Sequence, residues 1–254
     1  MYKNIISGNF SKSASSYDDH AEVQKECAKK LLGLIRKKHF PRILEIGCGT
    51  GVYTHMLREK YDNAEITAVD ISDEMIKIAR EKIPRKGIDF IAADGEQVEV
   101  DGKFDLITSN ASFQWFENLG TAFRLFRSSL AEGGTLCFSM YGPETFKELE
   151  EVFKHHFGSH QWLSSTKFTS REETEGRLKK HFNDFQVKEE HYTVDFISFW
   201  DFLRNIKHTG TRGEGIGRGI FLGKYMMREL ERTYIDKFGG IKATHHVYFC
   251  KAKL

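Results

Sequence analysis

The chain is short of the features that would take it out of ordinary globular chemistry. It has three prolines in 254 residues and no Gly/Ser-rich or low-complexity tract, which argues against a flexible linker between independent units. No internal repeat is visible, so a solenoid is excluded. The four cysteines, Cys27, Cys48, Cys137 and Cys250, are widely spaced and lack histidine partners at ligand spacing. Neither a disulfide framework nor a metal centre is expected, and a reducing cytoplasm is the simplest home. No apolar run approaches the roughly 20 residues a membrane span needs. Met1 to Phe10 is polar and lacks the apolar core of a secretory signal, so neither insertion nor export is expected. The formal charge of +2 is too small to imply nucleic-acid binding.

What is present is a chain with 40% hydrophobic and 29% charged residues, enough for one large α/β domain with a sizeable core. Residues 1 to 20 read as a loop or short helix, and Ala21 to Lys38 has helical periodicity. From Arg42 onward strands and helices alternate. Strands are expected at 43–46, 66–69, 89–92, 104–109 and 134–140, with helices at 52–60, 73–82 and 119–130. Ser72 is a good N-cap for the second of these, with Asp73 and Glu74 in its first turn. This alternation predicts a mostly parallel, Rossmann-like doubly wound sheet with helices on both faces. Beyond Gly142 helices dominate, at 143–156, 170–181, 198–206 and 223–237. Two apolar runs, 185–196 and 245–252, read as late strands that complete the sheet. The 198–237 helices then form an insertion, or lid, before the last strand. The division expected is one domain over 1–254, with an N-terminal lid and helix in 1–40 and a cofactor-binding core in 42–142.

The sharpest signal is Ile43-Leu44-Glu45-Ile46-Gly47-Cys48-Gly49-Thr50-Gly51, answered by Asp70 at the end of Ile66-Thr67-Ala68-Val69-Asp70. An apolar strand enters a glycine turn where the backbone must approach a ligand, and a second strand ends in a carboxylate suited to the two hydroxyls of a ribose. A pyrophosphate site would avoid an anion beside the turn. Glu45 instead suits a cofactor with a cationic amine and a sulfonium. This is the E/D-x-G-x-G-x-G pattern of class I methyltransferases that use S-adenosylmethionine. The similarity implies cofactor contacts from Glu45, Gly47, Cys48, Gly49, Gly51, Asp70 and Ile71. It adds Asp94 and Gly95 after the third strand, at the adenine, and Asn110 after the fourth.

The segment Ser109-Asn110-Ala111-Ser112-Phe113-Gln114-Trp115-Phe116 resembles the S-N-x-x-x-Q-W stretch of the malonyl-acyl-carrier-protein O-methyltransferases of biotin synthesis. Phe10-Ser11-Lys12-Ser13-Ala14-Ser15-Ser16-Tyr17-Asp18-Asp19-His20-Ala21 is similar to that family's F-x-[RK]-x-A-x-x-Y-x-x-H-A opening. Leu203 to Gly210 resembles its L-K-x-x-G turn, and Thr244 to Phe249 its final strand. The opening is shared with trans-aconitate methyltransferases, whereas the Gln114-Trp115 segment and the insertion point to the malonyl family. Thr211 to Gly215 departs from the family pattern.

The resemblance implies S-adenosylmethionine-dependent O-methylation of the free carboxylate of malonyl-acyl carrier protein or malonyl coenzyme A, which starts pimelate formation. A carboxylate nucleophile is already ionised at neutral pH, so no general base is needed. Alignment and exclusion of water are what the protein must supply. Tyr17, His20 and Gln114 are the candidate catalytic positioning residues. Tyr17 would donate its hydroxyl to a substrate oxygen, His20 would share its helical face, and Gln114 would donate its amide to a carboxylate or carbonyl, with Trp115 and Phe116 walling off solvent. Acyl carrier protein, an acidic bundle, is the expected partner. The segment Arg204 to Arg232 would receive it through Arg204, Lys207, Arg212, Arg218, Lys224, Arg228 and Arg232. A monomer with no nucleic-acid or membrane partner is expected. Three other readings stay open on the sequence: a methyltransferase for a small free acid such as trans-aconitate, an RNA methyltransferase, and a non-catalytic S-adenosylmethionine-binding module.

Overall fold

The computed structural model describes residues 2–37, 39–84, 86–158, 163–211 and 223–254. The chain opens with α1 (Tyr2–Ser13), α2 (Tyr17–His20) and α3 (Glu22–Leu34). It continues with β1 (Arg42–Ile46), α4 (Val52–Lys60), β2 (Glu65–Asp70), α5 (Asp73–Lys82), β3 (Ile88–Ala92), β4 (Phe104–Asn110), α6 (Leu119–Ser129) and β5 (Leu130–Tyr141). The last part holds α7 (Lys147–Phe157), α8 (Arg171–Lys179), β6 (Asp184–Phe196), α9 (Phe199–His208), α10 (Lys224–Phe238) and β7 (Ile241–Lys253).

The strands form one seven-stranded sheet in the order β3-β2-β1-β4-β5-β7-β6. The first five run parallel, and β7 pairs antiparallel with both β5 and β6. The doubly wound sheet and the helices between β6 and β7 match the sequence expectation. Strand order reverses between β1 and β4, and in open α/β sheets the crevice beyond the strand carboxyl ends at such a switch is where ligands bind.

Parallel strands buried on both faces need continuous apolar runs, and β1 is buried from Ile43 to Ile46. One face of the sheet packs Cys27 and Leu31 of α3, Tyr53 and Leu57 of α4, and Ile76 and Ala79 of α5. The other packs Phe123 and Phe126 of α6 and Leu178 of α8 against Phe104, Leu136 and Phe138. A third cluster joins α7, α9 and α10 to the β6–β7 end through Leu149, Phe202, Tyr234 and Ile241. Ser72 caps α5 as expected, accepting from the Met75 N–H at 3.3 Å. Ser198 caps α9 by accepting from the Asp201 N–H at 3.1 Å.

The N-terminal segment corrects the sequence reading: Tyr2–Ser13 is a helix of 12 residues. Lys3, Ser7 and Ser11 are spaced four apart and so share one face. Lys3 Nζ meets both Asp94 oxygens at 2.7 and 2.6 Å and Glu96 at 2.5 Å. The Ser7 hydroxyl donates to the Ile71 carbonyl at 3.2 Å, and Ser11 Oγ lies 2.8 Å from Ser72 Oγ. The docking surface of α1 therefore mixes this polar row with an apolar one, Tyr2, Ile6 and Phe10, packed on the core.

Candidate active site

Beyond the carboxyl ends of β1, β2 and β4 lies a cavity. Its floor is Ile46, Gly47, Gly49, Asp70 and Ile71, its far wall Asp94, Gly95 and Met75, and its roof Lys3, Ile6 and Phe10 of α1 with Tyr17 of α2. Asn110, Ala111, Ser112, Trp115 and Phe116 close the side toward β4. The helix α2 is held over the glycine turn by Asp18, which accepts from the Thr50 hydroxyl at 2.5 Å and pairs with Lys82.

Asp70 organises the turn from within. One carboxylate oxygen accepts from the Gly49 N–H at 2.8 Å and the other from the Ser72 N–H at 2.9 Å. Burial raises its pKa, and these N–H groups oppose the rise. Each oxygen keeps a further lone pair for a ligand hydroxyl in the cavity. Gly47 has φ of +72°, and a Cβ there would lie 2.3 Å from Ser112 Oγ. Gly51 lines neither this cavity nor its neighbour. Its left-handed backbone starts α4, and a Cβ would press on Ala79 of α5 and on Ile83 just after it, so the third glycine serves close packing.

Glu45 stands at the head of the turn, 1% exposed, with neither carboxylate oxygen partnered among the described residues. Burial pushes its carboxyl up to about 8. Glu45 lines neither cavity and sits behind the turn beside Thr54; a buried acid there fits the cationic part of S-adenosylmethionine through its field across the turn. A carboxyl raised in the folded chain costs the empty protein stability as pH climbs from the unfolded value through about 8. A cationic ligand lowers that value, so binding must release a proton below it. Cofactor affinity is expected to rise with pH below 8, by up to about tenfold per unit, and to level off above. Calorimetry in buffers of different ionisation enthalpy reads the proton release directly, and Glu45→Gln should abolish it.

Asp94 and Gly95 line the cavity, with the Asp94 carboxylate paired to Lys3 and accepting from the Glu96 N–H at 3.0 Å. Ile71 lines it too, its carbonyl taken by Ser7. Cys48 is buried and faces a neighbouring cleft with Thr50 and Tyr53. Asn110 reaches the cavity wall, but its side chain donates to the Gln24 carbonyl at 3.0 Å and accepts from Ser139 Oγ at 2.7 Å. That amide therefore braces the end of β4 against α3.

The three positioning candidates separate in the structure. Tyr17 is on the cavity, its phenol pushed upward by burial with Asp70 nearby. His20 turns away and stacks on His208 of α9 at 4.6 Å, so it joins the opening to the insertion. Gln114 corrects the expectation outright: it is buried, its amide donating to the Ala111 carbonyl at 2.7 Å and accepting from the Tyr141 N–H at 3.3 Å. Ala111 has φ of +54°, a conformation that costs a non-glycine residue about 1–2 kcal/mol. Gln114 and the Ser139 carbonyl, 3.0 Å from the Ala111 N–H, hold that strained turn. Substrate recognition has to come from elsewhere. Of the other cavity residues, Phe10 and Ser112 lie within the resemblance segments without having been singled out, and Lys3 lies outside any motif.

Residues 44–138 match the methyltransferase domain family. The whole chain is similar to a malonyl-[acyl-carrier protein] O-methyltransferase of Bacillus cereus, 33% identical over 97% of this chain and 96% of the relative. A protein of the same name from Acetivibrio thermocellus is 32% identical over 99% and 94%. Among solved structures, a methyltransferase-like protein of Bacillus halodurans superposes with a TM-score of 0.63 at 16% identity, covering 90% of this chain and 98% of its own. That likeness speaks to fold. With near-complete coverage at one-third identity, the chain belongs to the malonyl-[acyl-carrier protein] O-methyltransferase family, S-adenosylmethionine-dependent enzymes of the class I methyltransferase fold.

Proposed function

We propose that this protein transfers the methyl group of S-adenosylmethionine to the free carboxylate of a malonyl group carried by acyl carrier protein. The observation that carries the reading is a cofactor-shaped cavity whose Trp115 wall it shares with a second, mostly apolar cavity. Bound in the first, the cofactor supplies an electrophilic methyl on a sulfonium. Asp70, Glu45 and the glycine turn hold it, and Tyr17 with Phe10 roofs it against water. The acceptor carboxylate is ionised at neutral pH, so alignment in a dry site is the main contribution the residues make.

The carrier is proposed to dock on the insertion. Trp200, Arg204 and Lys207 occupy one stripe of α9 by their spacing of four and three. Trp200 is 66% exposed, and Ile197 beside it 98%. On α10, Tyr225 is 75% exposed next to the exposed Lys224 and Arg228. Exposed apolar side chains ringed by cations suit an acidic helical partner. Arg204 pairs with Asp201 at 2.8 Å and Arg232 with Asp236 at 3.8 Å, which moderates the charge. Arg212 and Arg218 lie outside the described residues.

The direct test is methyl transfer from labelled S-adenosylmethionine to malonyl-acyl carrier protein, with malonyl coenzyme A, free malonate, trans-aconitate and bulk RNA in parallel. Label on malonyl thioesters alone is expected; label on a free acid or RNA would replace the reading. For docking, the Arg204→Glu, Lys207→Glu double variant should raise KM for the carrier-borne substrate about tenfold at low salt, with kcat held. An unchanged KM would move the docking site off α9.

A further inference from the structure

The second cavity is narrow and lies beside the cofactor cavity across Trp115. Its walls include Phe146, Leu163, Phe168 and Ile206, and among the described residues no lysine, arginine or carboxylate lines it. Four of its buried polar-tipped side chains are Trp115, Tyr141, Ser165 and His245. Each presents a polar atom with no hydrogen-bond partner among the described residues: Trp115 Nε1, Tyr141 Oη, Ser165 Oγ and His245 Nδ1. Buried polar groups are nearly always paired, so four unpaired polar atoms facing a single cavity call for a common partner.

The chemistry of the four narrows the ligand. Indole N–H is a donor only, and the two hydroxyls have donors to give. His245 lies against Tyr141 at 5.7 Å and Phe146 at 5.0 Å between ring centroids. Burial holds its imidazole down to about 4, so it is neutral at physiological pH and offers Nδ1 as donor or acceptor according to tautomer. An oxygen-rich ligand accepts from such a set. A saturated acyl group would leave the donors unpaired in an apolar pocket, which is the arrangement that discriminates most sharply against an analogue lacking polar atoms.

Resting on the proposed function, we propose that Trp115, Tyr141, Ser165 and His245 form the malonyl subsite, holding carboxylate and thioester oxygens with neutral donors. Neutral donors fit the reaction better than a cation would. An arginine would stabilise the carboxylate charge that has to be spent on the methyl, whereas neutral hydrogen bonds place the anion and leave its lone pair available. In the transfer, a carboxylate oxygen forms the O–CH3 bond while the C–S bond breaks toward sulfur, and no proton moves. The subsite also connects to the docking surface. Ile206, which lines the cavity, lies on α9 between Arg204 and Lys207, so a carrier seated on the outer face of α9 would have its prosthetic arm pass to the inner one.

The test is binding as well as turnover. Malonyl- and acetyl-acyl carrier protein are titrated onto the S-adenosylhomocysteine complex of the wild type, Tyr141→Phe and Ser165→Ala. Wild type should favour malonyl over acetyl by about tenfold or more, and the variants should lose most of that preference. S-adenosylhomocysteine affinity should stay within about twofold, and the thermal midpoint of the empty variants should hold or rise, since each removes an unpaired buried hydroxyl. A merely structural role would lower the midpoint instead. Equal binding of malonyl and acetyl carriers by wild type, or a preference untouched in both variants, overturns the subsite. If the preference holds but no methyl reaches malonyl, the subsite survives and the assigned reaction fails.

Discussion

Asp70→Ala is expected to weaken S-adenosylhomocysteine binding roughly 30- to 900-fold, the equivalent of about 2–4 kcal/mol for a bidentate, charge-assisted contact. The product is the better probe because its binding involves no methyl chemistry. The structure adds a second component to the loss. Asp70 is also the acceptor for the Gly49 and Ser72 N–H groups, so the variant leaves the glycine turn without its internal tie and α5 without part of its entry. Asp70→Asn tests both effects without shortening the side chain. It keeps the size of the side chain but turns an amide donor toward one of those N–H groups, so it should bind as poorly as alanine. Calorimetry that finds either variant within about threefold of wild type would remove Asp70 from the cofactor site.

Gly47→Ala should be the most damaging single methyl addition in the site. Its left-handed φ costs an alanine about 1–2 kcal/mol, and its Cβ would sit 2.3 Å from Ser112 Oγ and 2.4 Å from Ser112 Cβ. Overpacking of that kind adds about 1–3 kcal/mol. A chain of this size should lose roughly 5–15 °C of thermal midpoint for the sum. The cheapest escape is for Ser112 to move, and Ser112 lines the cofactor cavity, so affinity should fall together with stability. Adding Ser112→Gly to Gly47→Ala should recover the overpacking part of the midpoint and leave the backbone part. A midpoint within about 2 °C of wild type in Gly47→Ala alone would mean that the β1 turn and the Ser112 loop are not packed as described.

Ser112 shows where reading along the chain stops. The strand, glycine turn and helix from Ile43 to Lys60, and the acid closing β2, are local objects. Hydrophobic periodicity, a left-handed turn and a carboxylate at a strand end announce themselves within a few residues, and the alternation of strands and helices then leaves few topologies. The placing of Asp70 on the cofactor cavity was legible for that reason. Gln114 was not, because a glutamine in a motif reads the same whether it faces ligand or backbone. Only the return of β5 beside it decided the matter, by putting the Tyr141 N–H within reach. The helix α1 gives only a weak periodic signal because its apolar row, Tyr2, Ile6 and Phe10, is short and its other docking row is lysine and serine, whose partners Asp94, Ile71 and Ser72 lie more than 60 positions away.

The malonyl subsite was the least legible part. Trp115, Tyr141, Ser165 and His245 come from four separate stretches of chain and share no spacing, so no local pattern unites them. Fold class and cofactor chemistry are carried by short-range preferences: burial on both faces of a parallel strand, glycine where the backbone bends left, an acid where a cation has to be met. The roof over the cofactor, the bracing of the β4 turn and the convergence of unpaired donors depend on which distant segments the sheet order brings together. That convergence is set by the packing of the whole sheet with its α9–α10 insertion, because a buried donor is satisfied or left free according to what lies across from it in space.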